Sequence, residues 1–259
     1  MNILVIGDVC GSIGCETVLK VLPCLKKELN VDFTLINGEN SADGNGISPT
    51  SAEVLLKCAD VITGGNHTIR RPDFHPLLDE NERLLRPDNL ENTHYGSGYC
   101  LVDMGRIKVA VINLLGTIYL EHLKASNPFL AADKLIERAK KDGANVILVD
   151  FHAEATSEKR AMGFYLDGKV SCIFGTHTHV QTSDLQILEG GTAYITDLGM
   201  TGPITSVLGV EPSIIIDRLK NGSQEKFRLA DGKCSLEGAF VTVDDKSGKA
   251  TSIKTIRIV

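Results

Sequence analysis

The sequence predicts an α/β fold assembled from βαβ units. Three observations carry this: short apolar, β-branched runs recur along the chain, segments of helical periodicity separate them, and metal-ligand-type polar residues follow the runs almost at once. The first run, residues 3–6, is too short to cross a bilayer and has no basic stretch ahead of it. It therefore reads as a buried strand rather than a signal peptide, and the expected location is cytoplasmic. Residues 17–29 then form a helix, with Leu19, Leu22, Leu25 and Leu29 near one face. Strand 33–36, helix 49–58 and strand 60–63 come next, followed by strand 108–112, helix 130–141 and strands 146–149, 170–174 and 193–196. Several of these runs read as strands buried on both faces, as in a parallel sheet. Residues 238–243 and 251–258 alternate apolar and polar side chains, so they are expected to be antiparallel strands closing a second sheet.

Composition agrees with one large core. The chain has 259 residues, 42% of them hydrophobic, and no Pro/Gly/Ser-rich or charge-rich linker or internal repeat divides it, so a single domain over 1–259 is expected. Its seven cysteines, at positions 10, 15, 24, 58, 100, 172 and 234, are odd in number and form no CxxC pair. That argues against a disulfide framework and a thiolate zinc knuckle, and for reduced packing residues. The formal net charge of −6 provides no basic stripe for a long nucleic acid, whereas small phosphate esters stay compatible because bound cations reverse a local field.

The informative pattern lies just beyond the strands. Gly7-Asp8, Asn37-Gly38-Glu39-Asn40, Gly64-Gly65-Asn66-His67, Asp150-Phe151-His152 and Gly175-Thr176-His177-Thr178-His179 each follow an apolar run. Five loops thus converge on the carboxyl edge of a sheet, where open α/β folds bind ligands. Taken singly, each residue has an ordinary explanation. Asp8 could cap a helix, Glu39-Asn40 could close a turn, and His152 could be a satisfied, partly buried histidine. The His177-x-His179 pair is more specific, since imidazoles two apart on an extended segment project the same way. Carboxylates, imidazoles and amides without a cysteine cluster suit iron, manganese or zinc, and calcium does not favour three histidines. The donor count fits two ions, which in such sites lie about 3.5–4 Å apart, and Glu39 is the candidate bridge.

Together these strings resemble the calcineurin-like metallophosphoesterases, through Gly65-Asn66-His67 and Gly175-x-His177-x-His179. The longer runs 37–40, 150–158, 175–182 and 196–203 resemble the YmdB-type branch, over essentially the whole chain. The resemblance implies an αββα sandwich of two mixed sheets flanked by helices, and a dinuclear centre of iron, or of manganese or zinc. It implies hydrolysis of phosphodiesters, including 2′,3′- and 3′,5′-cyclic nucleotides. By motif, Asp8, Glu39, Asn40 and His179 would hold one metal, and Glu39, Asn66, His152 and His177 the other. His67 would donate the proton to the leaving group, and a metal-bridging hydroxide would attack.

Two departures stand out. The wider superfamily has Asp-x-His at its first motif, where this chain has Cys10, and Glu39-Asn40 replaces the usual second-motif aspartate. Cys10 reads as a small buried hydrophobe rather than a thiolate ligand. Thr68-Ile69-Arg70-Arg71 replaces the branch's Thr-Trp and bears on substrate preference. Residues 7–14 lack the Gly-x-Gly start of a dinucleotide loop. Asp150 and Glu154 are either orienting partners of His152 or surface residues, and residues 196–203 are either a pocket wall or a plain turn. Arg70 and Arg71 read as ordinary surface arginines, and His75, His94 and His122 as solvated or structural. A phosphomonoesterase, and a regulatory metal- or nucleotide-binding protein with little turnover, are the rival functions. No membrane partner is expected, and homo-oligomerisation stays open.

Overall fold

The computed structural model describes residues 1–91 and 93–259. Its strands are β1 (Asn2–Ile6), β2 (Asp8–Val9), β3 (Phe33–Asn37), β4 (Val61–Thr63), β5 (Tyr99–Asp103), β6 (Lys108–Leu115), β7 (Val146–His152), β8 (Cys172–Thr176), β9 (Gln186–Ile187), β10 (Ala193–Ile195), β11 (Met200–Pro203), β12 (Cys234–Val243) and β13 (Ala250–Ile258). The helices are α1 (Gly11–Glu28), α2 (Pro49–Leu56), α3 (His75–Glu80), α4 (Pro128–Lys141), α5 (Thr156–Leu166) and α6 (Pro212–Asn221).

Two mixed sheets result. One runs β2-β11-β12-β1-β3-β4 with β13 added to β12, and the other runs β5-β6-β7-β8-β10-β9. Side chains alternate across each strand, and that alternation builds the layers. Ile3 and Val5 of β1 face Val109, Val111, Leu148 and Phe174 of the other sheet, in a core between the sheets. Leu4 and Ile6 face the opposite way, onto Val18, Leu22 and Leu25 of α1 and Leu55 of α2. Ile112, Val149 and Phe151 likewise meet Leu135 and Ile136 of α4 and Met162 of α5. The order helix, sheet, sheet, helix is the expected αββα sandwich.

Two details differ from the sequence reading. The C-terminal strands do not close a second sheet; β12 pairs antiparallel with β1 and with β13, completing the first. Alternation identifies a strand but not its partner, and the open edge of β1 opposite β3 takes this one. Within α1 the buried stripe is Cys15, Val18, Leu22 and Leu25, whereas Leu19 is 37% exposed. Among the described residues, no helix is long and apolar enough to cross a membrane. All seven cysteines are free.

Candidate metal centre

The parallel strands β1, β3 and β4, and β7 and β8 beside them in the other sheet, all end on one edge of the sandwich. The first sheet delivers Asp8, Glu39, Asn40, Asn66 and His67 there, and the second delivers His152, His177 and His179. Asp8, Glu39, Asn40, Asn66 and His152 are buried, and the other three histidines are partly exposed. Close packing fixes the approach: a Cβ on Gly65 would stand 2.3 Å from His152 Nε2, so only glycine lets that loop pass the ring.

The His177-x-His179 segment reaches the cluster differently from the extended geometry expected. His177 has φ +97° and His179 has φ +61°, both in the left-handed region. Such conformations cost on the order of 1–3 kcal/mol each in residues other than glycine and concentrate at functional sites. The turned backbone, rather than strand alternation, aims the two rings.

At one end, His152 Nε2 lies 2.9 Å from Asn66 Oδ1, 3.1 Å from His177 Nδ1 and 3.6 Å from Glu39 Oε1. Hydrogen-bond partners fix the tautomers. Thr176 Oγ1 donates to Asp150 Oδ1 at 2.7 Å, so it accepts from His152 Nδ1, 2.9 Å away. The 2.8 Å contact of His177 Nε2 with Glu154 Oε2 places that ring's proton on Nε2. His152 Nε2 and His177 Nδ1 therefore point lone pairs at each other, beside two oxygen acceptors. Like lone pairs repel unless a cation lies among them, and anchoring the second ring nitrogen on an acceptor is how metal-binding histidines are held.

At the other end, His179 Nδ1 donates to the carbonyl of Leu208 at 3.2 Å, leaving Nε2 inward. Nε2 faces the Asn40 amide at 3.1 Å and Asp8 Oδ1 at 3.7 Å. Asn40 Oδ1 accepts from His67 Nδ1 at 3.2 Å, and His67 Nδ1 is also 3.5 Å from Glu39 Oε1. Glu39 Oε1 further accepts the His67 backbone N–H at 2.6 Å.

The charges complete the picture. Burial raises the Asp8 carboxyl, but its hydrogen bond to His179 and the charges of His179 and His152 outweigh that and hold it well below the usual range. His179 is correspondingly raised, Asp8 overcoming the effect of burial. Glu39 behaves oppositely: burial pushes it up to about 8, although the His67 backbone N–H opposes the shift. No Lys or Arg nitrogen among the described residues pairs with Asp8 or Glu39. Burial holds His152 well below its ordinary value, with the His177 charge acting the same way, and burial also lowers His177. Burial, then Arg70 and His177, push His67 down to about 4.

Among the described residues, no three His, Cys, Asp or Glu side chains close on one point as a finished metal cage. The amides of Asn40 and Asn66 stand between them, and the full donor set is mixed O and N. Such a set suits first-row cations.

Around the cluster, Asp150 is fully buried and accepts from Asn37 Nδ2 at 2.8 Å, Thr63 Oγ1 at 2.5 Å and Thr176 Oγ1. It thus orients His152 through Thr176, whereas Glu154 orients His177. Burial raises Asp150 to about 7 despite these donors. The hydroxyls of Thr63 and Thr176 escaped sequence reasoning because a buried threonine in an apolar run looks like any strand residue. Cys10 is buried, and its Sγ lies where a side chain on Gly209 would begin. Burial pushes its thiol up to about 12, the behaviour of a packing residue. Met200 and Pro203 wall a cavity of about 270 Å³ beside His179, together with Leu208, Glu237 and Arg257. Arg70 bonds Asn45, and Arg71 lies toward Asp43 and Asp73. His75 stacks on Tyr95, and His94 and His122 are exposed.

A family model described as YmdB-like protein matches residues 4–256. The chain belongs to the YmdB-like family. It is 45% identical over 259 residues to a Bacillus subtilis (strain 168) protein named 2′,3′-cyclic-nucleotide 2′-phosphodiesterase, covering 100% of this chain and 97% of that one. A crystal structure described as a novel phosphatase, from Mycoplasma pneumoniae, superposes with TM-score 0.93 at 37% identity, over 100% of this chain and 93% of the other. A 5′-nucleotidase precursor from Thermus thermophilus shares the fold at TM-score 0.57 and 13% identity, over 100% of this chain and 54% of its own. The architecture is thus the metallophosphoesterase fold.

Proposed function

We propose that this chain is a metal-dependent phosphodiesterase acting on 2′,3′-cyclic nucleotides, with 3′,5′-cyclic nucleotides and similar small phosphodiesters as further substrates. One observation carries the reading: His152, His177 and His179 each anchor one ring nitrogen on an outer acceptor and turn the other inward, those of His152 and His179 onto the carboxylates and amides of the opposite sheet and that of His177 onto His152 Nε2. The name of the Bacillus subtilis relative supports the substrate class.

Asp8, Glu39, Asn40 and His179 would hold one cation, and Glu39, Asn66, His152 and His177 the second, with Glu39 shared. Iron is the favoured metal, with manganese or zinc as alternatives. Bound there, the cations supply phosphate charge neutralisation and activation of the attacking water. The chain does the rest. Glu154, and Asp150 through Thr176, keep the two inner rings fixed. His67, whose Nδ1 is engaged by Asn40, presents Nε2 to the leaving alkoxide and delivers its proton. To do so the ring must be charged. Burial and Arg70 oppose that, and the negative charge of an arriving phosphodiester favours it.

Chelator-treated protein is expected to lose hydrolysis of 2′,3′-cyclic nucleotides and regain it on adding Mn²⁺ or Fe²⁺; undiminished turnover by stripped protein would sink the mechanism. A phosphomonoesterase is the second reading, favoured by the description of the Mycoplasma pneumoniae structure as a phosphatase. Comparing bis-para-nitrophenyl phosphate with the monoester separates the two, and the diester is expected to be the better substrate.

A further inference from the structure

A buried ion pair lies one layer behind the histidines. Lys159 is 1% exposed and Asp197 is fully buried, and Lys159 Nζ donates to Asp197 Oδ2 at 2.7 Å. The lysine sits in the first turn of α5, where the helix dipole disfavours a cation, and deep burial disfavours it again. Replacing such a pair by apolar residues is often neutral or stabilising, so global stability is a weak reason for it. What distinguishes this pair is what else it holds. Asp197 Oδ2 also accepts from the backbone N–H of Thr178 at 3.1 Å and from its Oγ1 at 2.7 Å. Asp197 Oδ1 accepts the Gly199 N–H at 2.9 Å.

Thr178 is the residue between His177 and His179, whose two left-handed backbones need an outside restraint. The route of the lysine is reserved as well: a Cβ on Gly175 would stand 2.8 Å from Lys159 Cδ. Helix α5, the strap carrying both histidines and the loop entering β11 therefore meet on a single carboxylate.

We infer that Lys159 and Asp197 are positioning residues that clamp Thr178 and so hold His177 and His179 in metal-binding geometry. This rests on the metal-dependent reading above. Lys159 aligns the carboxylate, and Asp197 fixes the strap through two hydrogen bonds. Neither residue touches the substrate.

Thr178→Val is the informative variant, since it removes one hydroxyl donor at nearly constant volume and leaves the ion pair intact. The full chain, stripped with chelator, is titrated with Mn²⁺ by calorimetry, and the Tm of the stripped form is measured alongside. The expected result is Mn²⁺ affinity about 10–100-fold weaker, as for other partners that orient ligands. The stripped-form Tm should fall by only the few degrees that one lost hydrogen bond accounts for, and kcat should recover at saturating Mn²⁺. Lys159→Met combined with Asp197→Asn should weaken Mn²⁺ binding further, without leaving a buried charge unpaired. Arg160→Met, which removes the neighbouring surface pair with Asp184, should leave Mn²⁺ affinity at the wild-type value.

Wild-type Mn²⁺ affinity in both Thr178→Val and the double variant would overturn the inference and leave the metal-dependent reading standing. So would a kcat that stays low at saturating Mn²⁺. If the stripped wild-type protein binds no Mn²⁺ and hydrolyses phosphodiesters regardless, the reading itself falls, and this inference with it.

Discussion

The two ends of the polar cluster share a plan and differ in how they are satisfied. At the Asp8–His179 end, carboxylate and imidazole compensate one another: the first is held low and the second raised, so a proton alone can settle the pair. At the His152–His177 end it cannot. Both rings are pushed toward neutrality, both commit their N–H outward, and Asn66 and Glu39 add only further acceptors between them. A cation placed among them would answer all four groups at once. The second end should therefore be the tighter of the two, and Glu39, raised by burial and facing both, should be ionised by whatever sits there.

The largest expected effect tests this ranking. His177→Ala should abolish turnover and leave the protein with less than one cation by elemental analysis. Asp8→Asn should also remove turnover but retain close to one. Equal metal content in the two variants would erase the distinction between the ends. His67→Ala should act on neither: metal content stays at the wild-type value while kcat falls by on the order of 10² to 10⁴. Loss of metal with His67 would move that ring from proton delivery into the ligand set.

A smaller effect sharpens the account of the tighter end. Thr176→Val removes the oxygen through which Asp150 fixes His152, and outer partners of this kind are worth about 10–100-fold in metal affinity or activity. The loss should appear mainly in metal affinity, measured by competition with a chelator. An unchanged affinity would show that the inward turn of His152 needs no relay.

The donors themselves were legible in the sequence because each stands two to five residues beyond an apolar run that forms a strand, and parallel strands bring such positions to one edge. The layers followed from the same runs. What resisted reading has identifiable causes. Thr63 and Thr176 are buried polar residues within β-branched stretches, where strand propensity masks a hydrogen-bonding role. Glu154 lies two residues beyond His152 yet serves His177, because pairing of β7 with β8 brings the neighbouring loop closer than its own strand. The left-handed turns at His177 and His179 left no trace, since neither residue is the glycine or asparagine that announces such a backbone. Strands β12 and β13 were recognisable as strands but not assignable to a sheet, because alternation records a face and carries no partner.

Cys10 gives the smallest effect and the most direct contrast with the cluster. It follows Asp8 by two residues, at a position where the wider superfamily places a ligand, yet its side chain packs toward Gly209, Gly202 and Met200. Burial leads the causes that raise its thiol, and the negative charge of Asp8 adds to them, so a thiolate is disfavoured on both counts. Cys10→Ala should therefore keep full metal content and nearly full kcat, while lowering stability by on the order of 1 kcal/mol for the small cavity left behind. The two measurements separate the roles cleanly: a packing cysteine moves Tm and not metal, and a ligand moves metal first. A fall in metal content with Cys10→Ala would place sulfur in the first end of the cluster, which would then no longer be the end that a proton alone can satisfy.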